Sequence, residues 1–316
     1  MAALEAARSI VTVTHIRPDA DALGCCAALT LAAAHAGKAA TAVIPDTIPQ
    51  RYAFLLGGCA VATAAEFPAL AAGADLIVVV DTCSFAQLAP LAQTLRANRA
   101  KIVVIDHHQT TDDLSDVLWK DTSAAAAGVM VTELLEQLGW MRPAGTVTAL
   151  LAAVATDTGW FKHSNTDARA LATAARLAAN GGQLDLLHRQ LYQCDRPARL
   201  RLLAAALSSM ELHASGRLAV MSLTGEDFTR TGAAIDETED FVNEPLRIGA
   251  VEVSTIIIQE GPEARVSLRS KSTVDVAAIA RKFNGGGHAR AAGCRIQLPL
   301  PAARQQVIEA CVAALG

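Results

Sequence analysis

The stretch Ile10-Val11-Thr12-Val13-Thr14-His15-Ile16-Arg17-Pro18-Asp19-Ala20-Asp21 runs from a β-branched apolar segment into an imidazole and two carboxylates, then into Leu23-Gly24-Cys25-Cys26-Ala27-Ala28-Leu29. The apolar segment predicts a buried strand over residues 9–15. The Ala- and Leu-rich segment predicts a helix over 22–36, closed by Gly37 at a left-handed C-cap. Like charges crowded at a strand tip repel unless a cation sits among them. The runs Asp75-Leu76-Ile77-Val78-Val79-Val80-Asp81 and Lys101-Ile102-Val103-Val104-Ile105-Asp106-His107-His108 repeat the arrangement. Open α/β sheets bind ligands at the carboxyl ends of their strands, so three strand ends point at one site.

Working outward, Lys38–Ile44 reads as a second strand, Pro45, Pro49, Gly57 and Gly58 mark loops, and Ser84–Arg99 reads as a helix. Apolar strands alternating with helices imply a parallel sheet covered on both faces. Helices follow over 124–138, 145–156 and 167–179, the last capped by Thr166. The chain divides into an α/β parallel-sheet domain over 1–183, a helical connector over 184–213 interrupted by Pro197, and a smaller α/β domain over 214–316. Strands over 217–223, 248–259, 264–269 and 294–298, with helices over 274–283 and 302–314, make up the smaller domain.

The chain is 316 residues long, 52% hydrophobic and only 4% aromatic, which suits packed helices over aliphatic strands. A net charge of −4 argues against a long duplex nucleic acid held on a broad basic surface, but admits a short phosphorylated ligand. Seven cysteines without CxxC spacing indicate neither a disulfide framework nor a cysteine-rich zinc site. No signal-peptide order and no uncharged run long enough to span a bilayer are present, so the expectation is a cytoplasmic protein without a membrane partner.

The chemistry concentrates in His15, Asp19, Asp21, Asp81, Asp106, His107, His108 and Asp157, all at element ends of the first domain. A lone aspartate at a strand end is usually a turn former or a cap, the reading given to Asp75 and Asp121, and His35, His163, His188 and His213 stand alone. Carboxylates with imidazoles and no thiolate suit Mn²⁺, Mg²⁺ or Co²⁺ rather than structural zinc. Six ligand groups are too many for one catalytic ion. A pair of ions about 3.5–4 Å apart, bridged by a carboxylate, solves the count and suits in-line phosphoryl displacement. The second chemical stretch, Gly285-Gly286-Gly287-His288, exposes backbone N–H groups as an anion nest, with Arg269, Ser270 and Lys271 ending a nearby strand.

The run Asp106-His107-His108, with His15-x-x-Pro18-Asp19-x-Asp21-x-x-Gly24, Asp81 and Thr156-Asp157-Thr158-Gly159, resembles the motifs of the DHH phosphoesterase superfamily. The glycine stretch and Ser267-Leu268-Arg269-Ser270 resemble its DHHA1 domain, so the likeness spans nearly the whole chain. In length and domain pair the chain is similar to the branch that cleaves short oligoribonucleotides and removes the 3′-phosphate of 3′-phosphoadenosine 5′-phosphate (pAp). The resemblance implies two Mn²⁺ ions, with Co²⁺ or Mg²⁺ as substitutes. His15, Asp19 and Asp81 would hold one, and Asp21, Asp81, His107 and Asp157 the other. It further implies that His108 contacts the scissile phosphate, that Asp106 orients the histidines, and that Arg269, Ser270, Lys271, Gly285, Gly286, Gly287 and His288 bind substrate across an interdomain cleft. Cys25 stands where the first motif usually has Ser. Short RNA and pAp are the expected substrates, with a homodimer left open. Competing functions are hydrolysis of linear or cyclic dinucleotides, inorganic pyrophosphate hydrolysis, and a non-catalytic nucleotide sensor.

Overall fold

The computed structural model describes residues 1–316 apart from Arg142 and Ser272. The chain forms two compact units, Met1–Cys194 and Asp195–Gly316. The N-terminal unit carries strands β1 (Ser9–Val13), β2 (Ala39–Ile44), β3 (Val61–Thr63), β4 (Leu76–Val80), β5 (Lys101–Asp106) and β6 (Val117–Lys120). Its helices are α1 (Ala2–Ala6), α2 (Ala20–His35), α3 (Phe67–Ala72), α4 (Ala92–Ala97), α5 (Ala127–Leu138), α6 (Ala144–Asp157), α7 (Ala168–Ala179) and α8 (Leu184–Tyr192).

The six strands pair in the order β3-β2-β1-β4-β5-β6, every neighbour parallel. β4 is buried along its whole length, as an aliphatic run with no polar alternation requires in a sheet covered on both faces. The strand order reverses between β1 and β4, where open parallel sheets place their ligand crevice. β1 and β4 pair in register there, Val13 opposite Val79, so the residues that follow each strand emerge side by side.

The helices on one face fix the remaining candidate ligands. Asp19 is the N-cap of α2, its carboxylate accepting from the Ala22 N–H (3.0 Å), and Asp21 lies in the first turn. Helix α2 packs closely on α6. A Cβ at Gly24 would stand 2.4 Å from the Ala149 carbonyl oxygen, so the approach needs a glycine. Leu23 and Leu29 of α2 are almost wholly buried, worth about 1.5–3 kcal/mol each, and this seam holds the start of α2 against the helix that ends in Asp157.

The C-terminal unit contains α9 (Pro197–Ser208), β7 (Glu211–His213), β8 (Leu218–Leu223), α10 (Gly225–Thr231), β9 (Val253–Glu260), β10 (Glu263–Ser270), α11 (Val276–Arg281), β11 (Gly286–His288), β12 (Ala291–Ile296) and α12 (Leu300–Leu315). Its mixed sheet runs β11-β12-β10-β9-β8-β7, with β8 and β9 its parallel pair. Along β10 the burial alternates strictly, the inward side chains joining a core with α11 and α12.

Several elements differ from the sequence expectation. The helix expected over 84–99 forms only at Ala92–Ala97, because Pro90 disfavours helical geometry at the residue before it. Asp167, not Thr166, caps α7, accepting from the Ala170 N–H at 2.8 Å, while the Thr166 hydroxyl has no hydrogen-bond partner. The glycine stretch expected as a loop is largely strand β11, antiparallel to β12. Among the described residues, no helix is long and apolar enough to cross a membrane.

Candidate metal centre

His15 follows β1, Asp81 follows β4, and Asp106, His107 and His108 end and follow β5, three adjacent strands. The Nδ1 of His15 is 2.8 Å from the Ile16 carbonyl, and that of His107 is 3.1 Å from the Ala124 carbonyl. A carbonyl only accepts, so each Nδ1 carries a proton, and each ring in its neutral form turns an Nε2 lone pair outward. Both Nε2 atoms face one carboxylate: His15 is 3.4 Å from Asp81 Oδ2 and His107 is 3.4 Å from Asp81 Oδ1. Lone pairs opposed at that range need a cation between them or protons on the rings.

Asp81 is 2% exposed, and its Oδ1 receives no hydrogen bond. Its backbone sits in the left-handed region (φ 61°), an unusual geometry for aspartate, and its N–H donates to the Ile105 carbonyl. Asp157 Oδ2 lies 3.7 Å from His107 Nε2, and Asp21 Oδ2 lies 3.9 Å from it. Asp157 is the last residue of α6, where the helix dipole disfavours a negative charge. Three groups of atoms are close enough for common coordination: His15, Asp19 and Asp81; Asp21, His107 and Asp157; and Asp81, His107 and His108.

Two members are held from outside the cluster. Asp21 accepts from the Ala127 N–H (2.7 Å) and the Gly128 N–H (2.8 Å) at the start of α5, and from the Cys25 thiol (3.4 Å). Both oxygens are engaged, but a carboxylate offers about four lone-pair sites. Asp106, wholly buried, accepts from the His108 N–H (3.1 Å) and from His108 Nδ1 (2.9 Å). Asp106 therefore orients His108, and the Ala124 carbonyl orients His107.

The electrostatics follow from this crowding. Burial opposes charge on His15, but Asp81 outweighs it and raises the ring to about 9. His107, likewise desolvated, is raised to about 10 by Asp81, Asp21 and Asp157. Burial pushes Asp81 up, yet His107 and His15 hold it well below the usual carboxylate range. Burial, with Asp81 and Asp19 nearby, lifts Asp157 to about 7. The bond from Asp106 raises His108. Without a metal, the raised His15 and His107 rings supply the positive charge that faces Asp81, and a divalent cation bound to the same groups would take over that role.

In the C-terminal unit, half-buried Arg269 lies opposite Ala291 and donates through Nη1 to the Leu268 carbonyl (3.1 Å). Burial pulls its guanidinium below its ordinary value, opposed by Asp240 and Glu239. Ser270 is buried, its N–H bonded to the Arg290 carbonyl. Lys271 donates to three carbonyls, of Leu246 (3.0 Å), Ile248 (2.6 Å) and Gly249 (3.2 Å), which engages all three ammonium protons within the fold. Gly286, Gly287 and His288 are exposed on the edge strand. A Cβ at Gly285 would meet the Gly293 oxygen at 2.3 Å, and one at Gly287 (φ 135°) the Ala291 oxygen at 2.5 Å, whereas at Gly286 it would meet nothing within 4 Å.

Comparison with known proteins matches residues 9–156 to the DHH family, N-terminal domain, and residues 217–315 to the DHHA1 domain. The chain is 32% identical over 302 residues to the bifunctional oligoribonuclease and PAP phosphatase NrnA of Thermus thermophilus, spanning 95% of this chain and 88% of that protein. The chain belongs to the DHH family. It is 27% identical over 300 residues to the NrnA of Bacillus subtilis, 91% of this chain and 89% of the relative. An exopolyphosphatase-related protein from Bacteroides fragilis shares the fold, with TM-score 0.93 at 24% identity over 99% of this chain and 95% of that one. This DHH chain is a hydrolase of phosphoesters.

The α5 amides on Asp21 lie more than a hundred residues away and escape a reading of local motifs. Gly128, a glycine in the first turn of the helix, was the available signal.

Proposed function

We propose that the protein is a two-metal phosphoesterase that hydrolyses short oligoribonucleotides to mononucleotides and removes the 3′-phosphate of pAp, with Mn²⁺ as its ion. The observation that carries this reading is Asp81, a buried carboxylate flanked by two imidazole nitrogens whose lone pairs face it. The donor set fits divalent cations. His15, Asp19 and Asp81 would hold one, and Asp21, His107 and Asp157 the other with Asp81 shared between them, in keeping with the close groups of ligand atoms. When bound, such a pair lowers the pKa of the attacking water and neutralises charge on the phosphoryl group.

The remaining residues have roles set by chemistry. His108, held at Nδ1 by Asp106 and made more basic by it, is suited to donate from Nε2 to a phosphoryl oxygen. Arg269, Ser270 and the hairpin Gly285–His288 would bind the far phosphate. Gly286 supports this, since the fold leaves its position open to a close-approaching ligand. Lys271 leaves that group, because its protons are engaged elsewhere. The substrates are taken from the relatives' names, and the net charge of −4 disfavours the many phosphate contacts on which binding of a longer strand rests.

The test is a substrate panel with chelated protein given Mn²⁺, Mg²⁺ or Co²⁺. We expect Mn²⁺-dependent hydrolysis of pAp and of ribonucleotides about two to five long, a span the family resemblance implies, falling steeply on a strand of about twenty, for which a net charge of −4 offers few phosphate contacts. Faster hydrolysis of a cyclic dinucleotide or of pyrophosphate than of either expected substrate overturns the reading. Nucleotide binding without any hydrolysis overturns it in favour of a sensor.

A further inference from the structure

The chain contains two tyrosines and three tryptophans, and both tyrosines and one tryptophan gather in one patch of the N-terminal unit that the chemistry above does not use. The ring of Trp160 lies 5.6 Å from Tyr192 and 5.0 Å from His188, in edge-on contacts. The guanidinium of Arg51 sits 5.8 Å from the Tyr192 ring and 5.1 Å from the Tyr52 ring, and donates to the Leu191 carbonyl. Tyr192 is 37% exposed, and Trp160 and Phe161 are partly so.

Two features join this patch to the candidate metal centre. Gly159, Trp160 and Phe161 carry φ of 55°, 59° and 62°, three successive left-handed residues, two of them bulky aromatics that pay for the geometry with strain. The turn begins two residues after Asp157. It is pinned by the Trp160 N–H to the Ala155 carbonyl (2.6 Å), and Asn165 Nδ2 donates to the Asp157 carbonyl (3.2 Å). A turn of this shape would be free of strain only with glycine, so the two aromatics are retained against the backbone's preference. Arg51 comes from the segment after β2, at the same end of the sheet, where Asp46 accepts the Arg17 N–H (3.0 Å) and ties that segment to the His15–Asp21 loop.

We infer that Trp160 and Tyr192, with Arg51 beside them, form a stacking platform for the nucleobase next to the scissile phosphate. The inference rests on the nucleotide reading above and adds to it the part of the substrate that is neither phosphate nor sugar. A flat aromatic face accepts any base, and the guanidinium adds attraction for both the base and its anionic backbone. The platform therefore selects nucleotides from base-free phosphoesters while remaining tolerant of base identity.

The experiment compares the full chain with Mn²⁺ on the diribonucleotides ApA and UpU and on the same dinucleotides carrying an abasic ribose. Wild type should favour base-bearing substrates by about ten- to a hundredfold in kcat/KM, with ApA and UpU close to each other. Tyr192→Ala should collapse that ratio toward one through KM, and Tyr192→Phe, which keeps the ring, should preserve it. A purely structural role would lower both substrates together and leave the ratio unchanged, which overturns the platform. Equal cleavage of base-bearing and abasic substrates by wild type overturns the platform alone. Failure of wild type to cleave either one overturns the nucleotide reading and the platform with it.

Discussion

The charged residues at the strand ends of the N-terminal unit and the glycines of the C-terminal hairpin look equally unusual in sequence, yet the fold accounts for them very differently. Gly285 and Gly287 are required by close backbone packing. Asp81, shared between two imidazoles, and Asp157, at the negative end of a helix, belong to a cluster of carboxylates and histidines that no packing requirement explains. Crowding several ionisable groups out of water is costly, so a fold that retains such a cluster implies a ligand, whereas a glycine is often explained by its neighbours. Each variant below tests one side of that contrast.

Asp81→Asn should have the largest effect, because one change disturbs both proposed ion positions. We expect kcat/KM to fall by about a thousandfold or more. Wild type should gain thermal stability on adding Mn²⁺, as any ligand of the folded state confers, and the variant should gain little. A variant with undiminished Mn²⁺ stabilisation would show that Asp81 is a structural carboxylate.

The same contrast predicts a pH dependence in metal-free protein. His15 and His107 titrate near 9 and 10 in the folded state against about 6.5 unfolded, so the folded state binds more protons between those values. Their contribution, on the order of a few kcal/mol, is fully present below about pH 6.5 and lost as pH rises through 9 to 10. Mn²⁺ affinity should move the opposite way over that window, since ligation requires neutral imidazole. Denaturant midpoints in chelator at pH 6, 8 and 10 check this, and a flat profile would mean that the two rings do not share Asp81.

Arg269 and Lys271, two residues apart, should separate into substrate and scaffold. Arg269→Ala is expected to raise KM for short RNA about tenfold with metal content unchanged, the usual cost of a lost charged hydrogen bond. Lys271→Met should instead lower stability by about 1–3 kcal/mol, because three carbonyls lose their donor, and leave KM near wild type. Exchange of these two outcomes would reverse the assignment.

Much of this was legible in sequence because burial and charge conflict visibly. An aliphatic run ending in Asp or His, as at Val80-Asp81 and Ile105-Asp106-His107-His108, announces both a buried strand and a site at its tip. Short edge strands such as Val61–Thr63 and Val117–Lys120 lack enough residues to show a period. Lys271 next to Arg269 reads as a second phosphate ligand, and only the folded backbone reveals three carbonyls converging on it. The left-handed turn at Trp160 is invisible for a similar reason, since bulky aromatics give no signal for that conformation.

Gly286→Ala should have the smallest effect and discriminates most finely, because its neighbours supply the control. Gly287→Ala forces a side chain into a backbone region nearly exclusive to glycine and against the Ala291 oxygen, so it should cost about 1–3 kcal/mol of stability. A methyl group at Gly286 meets open space, and stability should change by no more than about 0.5 kcal/mol. If the exposed N–H groups of this edge receive the far phosphate, the same methyl obstructs their approach and KM should rise severalfold while kcat holds. Unaltered KM in a stable Gly286→Ala protein would show that the run is glycine for packing alone, and that phosphate is held by Arg269 without the hairpin.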